Sequence, residues 1–260
     1  MRSSDVRRAA VLLVLAHLAA PARAFDPERD TWLLPQAPEA PRMLVDPLEY
    51  ARMKATGNDV EPEYADAARS LLIQAAGARD REQVETLLQQ GVNPNALAGY
   101  RGDSALIRAV GGGDVEITRL LLDAGADPDQ KAAGYTPLVL AALRGHARIA
   151  SLLLRAGADP DRKAGDGNTP LTAAAGMDRI DTLRVLLAAR PDPTLFNREG
   201  RTALSIAAMG GFEEAVRAML DAGVDPNVLD RNGNTALTSA GLADSPAIER
   251  LLVERGGFTQ

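Results

Sequence analysis

The chain has 260 residues, 46% hydrophobic and 25% charged, with a formal net charge of −6; that balance supports a buried core and excludes a disordered chain. Only 3% of the residues are aromatic, which favours thin layers of Leu, Ala, Val and Ile over one thick centre. Cysteine is absent, which excludes disulfide stapling and attachment through a lipidated cysteine.

Residues 1–24 read as a cleaved export signal. Arg2, Arg7 and Arg8 form a basic start, residues 9–20 are a short apolar run, and Ala22-Arg23-Ala24 fits the small-x-small cleavage rule ahead of Phe25. The run is shorter than the roughly 20 apolar residues a membrane-spanning helix needs. The expected cut follows Ala24 and leaves a periplasmic or secreted protein with no membrane association; Asp5 and Val6 make a poor context for Arg7-Arg8 as a twin-arginine signal. Four arginines and one aspartate leave with the signal, taking the net charge from −6 to −9. So acidic a chain is not expected to bind nucleic acid. Lysine occurs only at Lys54, Lys131 and Lys163, so nearly all positive charge is arginine, which suits bidentate capture of carboxylates.

Residues 25–64 carry Pro27, Pro35, Pro38, Pro41, Pro47 and Pro62 and are predicted to be a partly extended arm, with Asp46 able to cap a short helix through Leu48 and Lys54. The only tryptophan sits in Trp32-Leu33-Leu34. Two readings of it stand: it anchors the arm on the apolar end of the following domain, or it holds a partner.

From residue 65 to 260 the sequence repeats. "GYTPLVLAALRGH" from Gly134 returns as "GNTPLTAAAGMDR" from Gly167, "GRTALSIAAMGGF" from Gly200 and "GNTALTSAGLADS" from Gly233, at intervals of 33 residues. A second marker recurs in register: "LLQQGVNPN" from Leu87, "LLLDAGADPD" from Leu120, "LLLRAGADPD" from Leu152, "LLAARPDPT" from Leu186 and "MLDAGVDPN" from Met219. With a weaker first unit at Ser70, six units span 66–98, 99–131, 132–164, 165–197, 198–230 and 231–260. Ser70 to Ser104 is 34 residues and Ser104 to Thr136 is 32, a difference that loops absorb.

One unit shows why the pattern folds. Thr136 caps a helix with its hydroxyl and Pro137 takes the first helical position, where its missing N–H costs nothing. Leu138, Ala141 and Ala142 share a face at i, i+3, i+4 spacing, and Gly145-His146 breaks the helix. Ile149, Leu152 and Leu153 form the apolar face of a second helix, which Gly157 ends in the left-handed conformation before Asp159-Pro160 turns the chain outward. Two short helices with one apolar face each bury it only by stacking on the next unit, so the fold expected is an all-α curved solenoid of helix-turn-helix units joined by short hairpin loops.

T-P-L-x-x-A-A, the Gly-His break and L-L-x-x-G-A-D-P resemble the ankyrin repeat over about residues 66–260. The sequence departs from that family where His usually follows T-P-L to help tie neighbouring units: it has Ile107, Val139, Thr172, Ser205 and Thr238. Thr and Ser can supply part of that bonding and Ile and Val cannot, so a patchy network is expected. Arg190 stands where other units have Gly91, Gly125, Gly157, Gly223 and Gly256; a left-handed backbone there costs a non-glycine residue about 1 kcal/mol.

Little in the chain points to catalysis. The histidines are His17, in the signal, and His146, at a repeat position; the sequence offers no clustered metal ligands, no nucleophile beside a base and no phosphate-cradling Gly-rich loop, and no cofactor is expected. Asp127, Asp159, Asp192 and Asp225 have turn roles in the repeat, although a paired-carboxylate site stays open from sequence. The resemblance implies instead a groove formed by loop tips and the inner faces of the first helices. Its residues here are Tyr100, Arg101 and Asp103; Tyr135, Leu143 and Arg144; Asn168 and Met177; Arg198, Arg201 and Met209; Arg231, Asn234 and Leu242. Tyr and Arg often dominate protein interfaces, and Met adds adaptable contact. The expectation is a monomeric, non-catalytic module that binds another protein, one presenting an acidic segment. The alternative is an accessory subunit dedicated to protecting or seating one exported enzyme.

Overall fold

The computed structural model describes residues 62–98 and 102–258, and side chains from Ala68 onward. The predicted signal, Trp32 and the Asp46 helix lie outside the described residues. Twelve helices, and no strands, occur among the described residues. They alternate as first and second members of six pairs: α1 (Pro62–Ala78) and α2 (Arg81–Gln89), α3 (Ala105–Gly112) and α4 (Val115–Asp123), α5 (Pro137–Arg144) and α6 (Ala147–Arg155), α7 (Pro170–Gly176) and α8 (Ile180–Ala188), α9 (Ala203–Met209) and α10 (Glu213–Asp221), α11 (Ala236–Leu242) and α12 (Pro246–Glu254).

Local chemistry sets the phase of each pair. Ser104, Thr136, Thr169, Thr202 and Thr235 each accept a bond from the N–H three residues on, which caps α3, α5, α7, α9 and α11. Ser70 does not repeat this role. It lies inside α1, which begins at Pro62, because the intervening Ala65-Asp66-Ala67-Ala68-Arg69 is rich in alanine and contains neither Gly nor Pro to break a helix.

A left-handed residue turns each first helix into its partner: Gly113, Gly145 and Gly211, but also Arg79 (φ 60°), Asp178 (φ 52°) and Asp244 (φ 49°). Second helices end the same way at Gly91, Gly125, Gly157, Gly223 and Gly256, and at Arg190 with φ 55°, as the register predicted.

First helices pack on first helices, α3 to α11 in order, and second helices on second helices, α2 to α12. Leu138, Ala141 and Ala142 are buried as expected. On α6 the buried residues are Ile149, Ala150 and Leu153, whereas Leu152 is half-exposed. The second helix is covered by its own partner as well as by its neighbours, and this rotates the buried arc from Leu152 toward Ala150.

The connecting loops are hairpin-like, with bridges pairing Ala98 with Asp103, Ala132 with Tyr135, and Phe196 with Thr202. At the base of each loop, Asn93, Asp127, Asp159, Asp192 and Asp225 accept the N–H two residues on, at 2.9 Å throughout. This is the turn role expected for the aspartates.

Candidate binding face

Two rows of side chains follow from this geometry. Each loop holds its tip residue immediately before a helix cap, placing Tyr135, Asn168, Arg201 and Asn234 at equivalent points. The tips are joined to one another: the Ala133 N–H bonds Gly102 O at 3.2 Å, Gly165 bonds Gly134 O at 2.8 Å, and Arg231 bonds Gly200 O at 2.8 Å. The second row, Leu143, Arg144, Met177, Met209 and Leu242, lies at the C-terminal ends of α5, α7, α9 and α11. First helices of seven or eight residues separate the rows by about 10–12 Å at 1.5 Å per residue. Tyr100 and Arg101 lie outside the described residues.

Exposure differs along these rows. Leu242 is 74% and Met177 52% exposed, large values for apolar side chains; Tyr135, Leu143, Arg144, Arg201 and Met209 are half-buried, and Arg198 and Arg231 are exposed.

The charges are not uniform. Arg201 pairs with Glu199 at 3.0 Å, and Arg198 donates from Nη2 to Gly165 O at 3.0 Å. Asp103 pairs with Arg108 at 2.5 Å. The Asn168 amide donates to its own loop's Asp166 at 2.9 Å, and that of Asn234 to Asp230 at 3.5 Å.

Two contributors that the sequence does not single out are Lys163 and Phe196. The Phe196 ring carries the Arg231 guanidinium 4.6 Å and the Lys163 ammonium 5.1 Å from its centroid, and Lys163 Nζ also donates to Phe196 O at 2.7 Å. Cations within about 6 Å of an aromatic face are attracted to it, so both are held in fixed positions. Their equivalent places in successive repeats were the available signal.

The residues replacing the expected histidine behave locally. Ile107 and Val139 are buried. Thr172 completes a capping box with Thr169, the Ser205 hydroxyl donates to Thr202 O at 3.0 Å, and Thr238 Oγ1 lies 3.3 Å from Thr235 Oγ1. These bonds close each unit's own cap and do not tie neighbours.

His146 is half-buried against Gly113 of the preceding unit. Burial lowers its pKa, a bond to the Gly111 carbonyl opposes that shift, and nearby Arg144, Arg179 and Arg79 add to it. Burial also raises the carboxyl pKa of Asp129 and of Asp161, while bonds from the Thr194 hydroxyl and N–H hold Asp192 below the usual range. Among the described residues no group of three or more His, Cys, Asp or Glu side chains could hold a metal ion, and no helix is long and apolar enough to cross a membrane.

A family profile described as "Ankyrin repeats (3 copies)" matches residues 72–164, 133–197 and 189–259. The chain belongs to the ankyrin-repeat family. An ankyrin repeat domain from Acinetobacter baumannii AYE, known from a crystal structure, superposes with a TM-score of 0.67 at 30% sequence identity, covering 72% of this chain and 98% of that one. No curated protein matches the sequence. In this ankyrin protein, as in repeat solenoids generally, each unit hides its neighbour's apolar face and the loop edge remains available for contact.

Proposed function

We propose that this ankyrin protein is an exported, non-catalytic binding module that holds another protein across the two rows, with the Arg-bearing loops meeting an acidic segment of the partner. Its ankyrin repeats suggest a protein–protein interaction module. The single observation that supports this particular face is the exposure of Met177 and Leu242 in one row and of Arg198 and Arg231 in the loops of the other: a partner laid across both rows would meet apolar side chains at one edge and guanidinium groups at the other. The sequence of residues 1–24 supports export, with the mature chain beginning at Phe25.

A photo-crosslinker at Tyr135 in living cells tests the face. A discrete partner band is expected, and it should disappear when Arg144, Arg198 and Arg201 are together changed to Glu; an unchanged band would exclude this surface. Mass spectrometry of the exported protein should find Phe25 at its N-terminus.

A further inference from the structure

Three sets of hydrogen bonds stitch successive units together, each at a different place. At the loop base, the side chain four residues beyond the helix-ending turn accepts the next unit's backbone N–H: Asn95 from Asp127 at 2.6 Å, Asp129 from Asp159 at 3.1 Å, Asp161 from Asp192 at 2.9 Å, and Asn227 from Phe258 at 3.1 Å. At the loop tips run the backbone bonds already described. At the opposite ends of the helices, Arg79 donates to Gly112 O, the His146 ring packs against Gly113, and Arg179 Nε donates to Leu143 O at 3.2 Å.

Among the described residues, all three are missing between the fourth unit (α7, α8) and the fifth (α9, α10). Thr194 occupies the loop-base position, but its hydroxyl is turned back onto its own unit's Asp192 at 2.6 Å, and no bond reaches Asp225 N–H. No backbone bond joins the tips of these two units. Phe212 stands where Arg179 and His146 stand, and a phenyl ring has no N–H to donate. Between the third and fourth units all three ties are present, and between the fifth and sixth the base and tip ties remain.

What spans the junction is apolar packing of α7 on α9 and α8 on α10, the bond from Arg198 to Gly165 O, the contacts of Lys163 and Arg231 with Phe196 in the loop between α8 and α9, and the Arg184–Glu214 pair at 2.8 Å, both of whose side chains are more than half exposed. Exposed pairs of this kind add little rigidity. Packing against small side chains is weakly directional, whereas hydrogen bonds fix orientation.

We infer that the repeat domain is articulated at this junction, with the units up to α8 and the units from α9 onward moving as two blocks. The junction runs between Met177 and Arg198, so it divides the row of candidate side chains: Tyr135, Arg144 and Met177 ride on one block, and Arg201, Met209, Arg231 and Leu242 on the other. A solenoid hinged there adjusts the spacing of the two halves, a hinge-type motion absorbed at element ends.

The absence of native cysteine makes the test direct. In the full chain, nitroxide labels on cysteines introduced at Ala156 and Ala222 span two steps that include the junction, and labels at Ala124 and Ala188 span two steps that do not. Pulsed electron–electron distance measurements should give a distribution about twice as broad for the first pair as for the second; equal widths overturn the inference. Adding Thr194→Asn, which copies Asn227, should narrow the first distribution and leave the second alone. A width that does not respond overturns the inference too. Thr194→Asp, which copies Asp161, serves as the second variant should Thr194→Asn fail to fold.

Discussion

Helices α6 and α8 hold the same place in successive units but rest on different chemistry. In α6, Ile149, Ala150 and Leu153 are buried, Gly157 turns the chain out at φ 93°, and Ala158 N–H closes the turn onto Leu153 O at 3.0 Å. In α8 the position of Ile149 is Thr182, which is fully buried with a hydroxyl that lacks a hydrogen-bond partner. Arg190 replaces the glycine, and Pro191 has no N–H to make the closing bond. That closing bond recurs at Val92, Ala126, Ala158, Val224 and Gly257, so the fourth unit alone goes without it. The unit still folds because α8 packs between α6 and α10: in a stacked array a unit's own deficits are offset by its interfaces.

Four substitutions break or sharpen that contrast. Ile149→Thr gives the third unit the fourth unit's residue; a cavity and an unpaired hydroxyl together should cost about 2–4 kcal/mol in urea denaturation. The converse, Thr182→Val, removes the orphan hydroxyl at nearly constant volume and should stabilise by about 1–2 kcal/mol. Arg190→Gly relieves the left-handed strain and should gain about 1 kcal/mol, seen as a higher Tm; a fall in Tm would mean that the Arg190 side chain contributes more than its backbone costs.

The smallest effect is a pH dependence at His146. Its folded pKa lies below the ordinary value near 6.5, so the unfolded chain takes the proton first. The stability tied to the neutral ring is fully present above about pH 6.5 and is lost as pH falls through the folded value. His146→Gln has no such titration, and the wild type should lose stability relative to it between pH 7 and pH 5.

Residues whose effect is local were legible in the sequence. Thr136 and Pro137 start a helix, Gly145 and Gly157 end one, and Arg190 adopts the strained backbone its place in the repeat demands; each follows from capping or steric rules acting over a few residues. Spacing points to Leu152 rather than Ala150 as buried, and the fold reverses them, because periodicity gives the width of an apolar face but not the angle at which two neighbours cover it. Thr172, Ser205 and Thr238 were free in sequence to bond across units, and competition from their own caps decided otherwise. Of the candidate face, equivalent positions could be enumerated from the register. Which arginines hold counterions, as Arg201 does with Glu199, depended on the folded loop's geometry, and which cations stack on Phe196 depended on distances between residues some 33 positions apart.

The sequence by itself determined that helix pairs repeat and that each must cover the next, since a 33-residue period of short amphipathic segments has no other way to leave water. Only the tertiary structure decided how firmly each pair is joined to its neighbour. Whether the Thr194 hydroxyl, while donating to its own Asp192, is also within reach of the Asp225 N–H depends on the separation between units, which no single unit encodes.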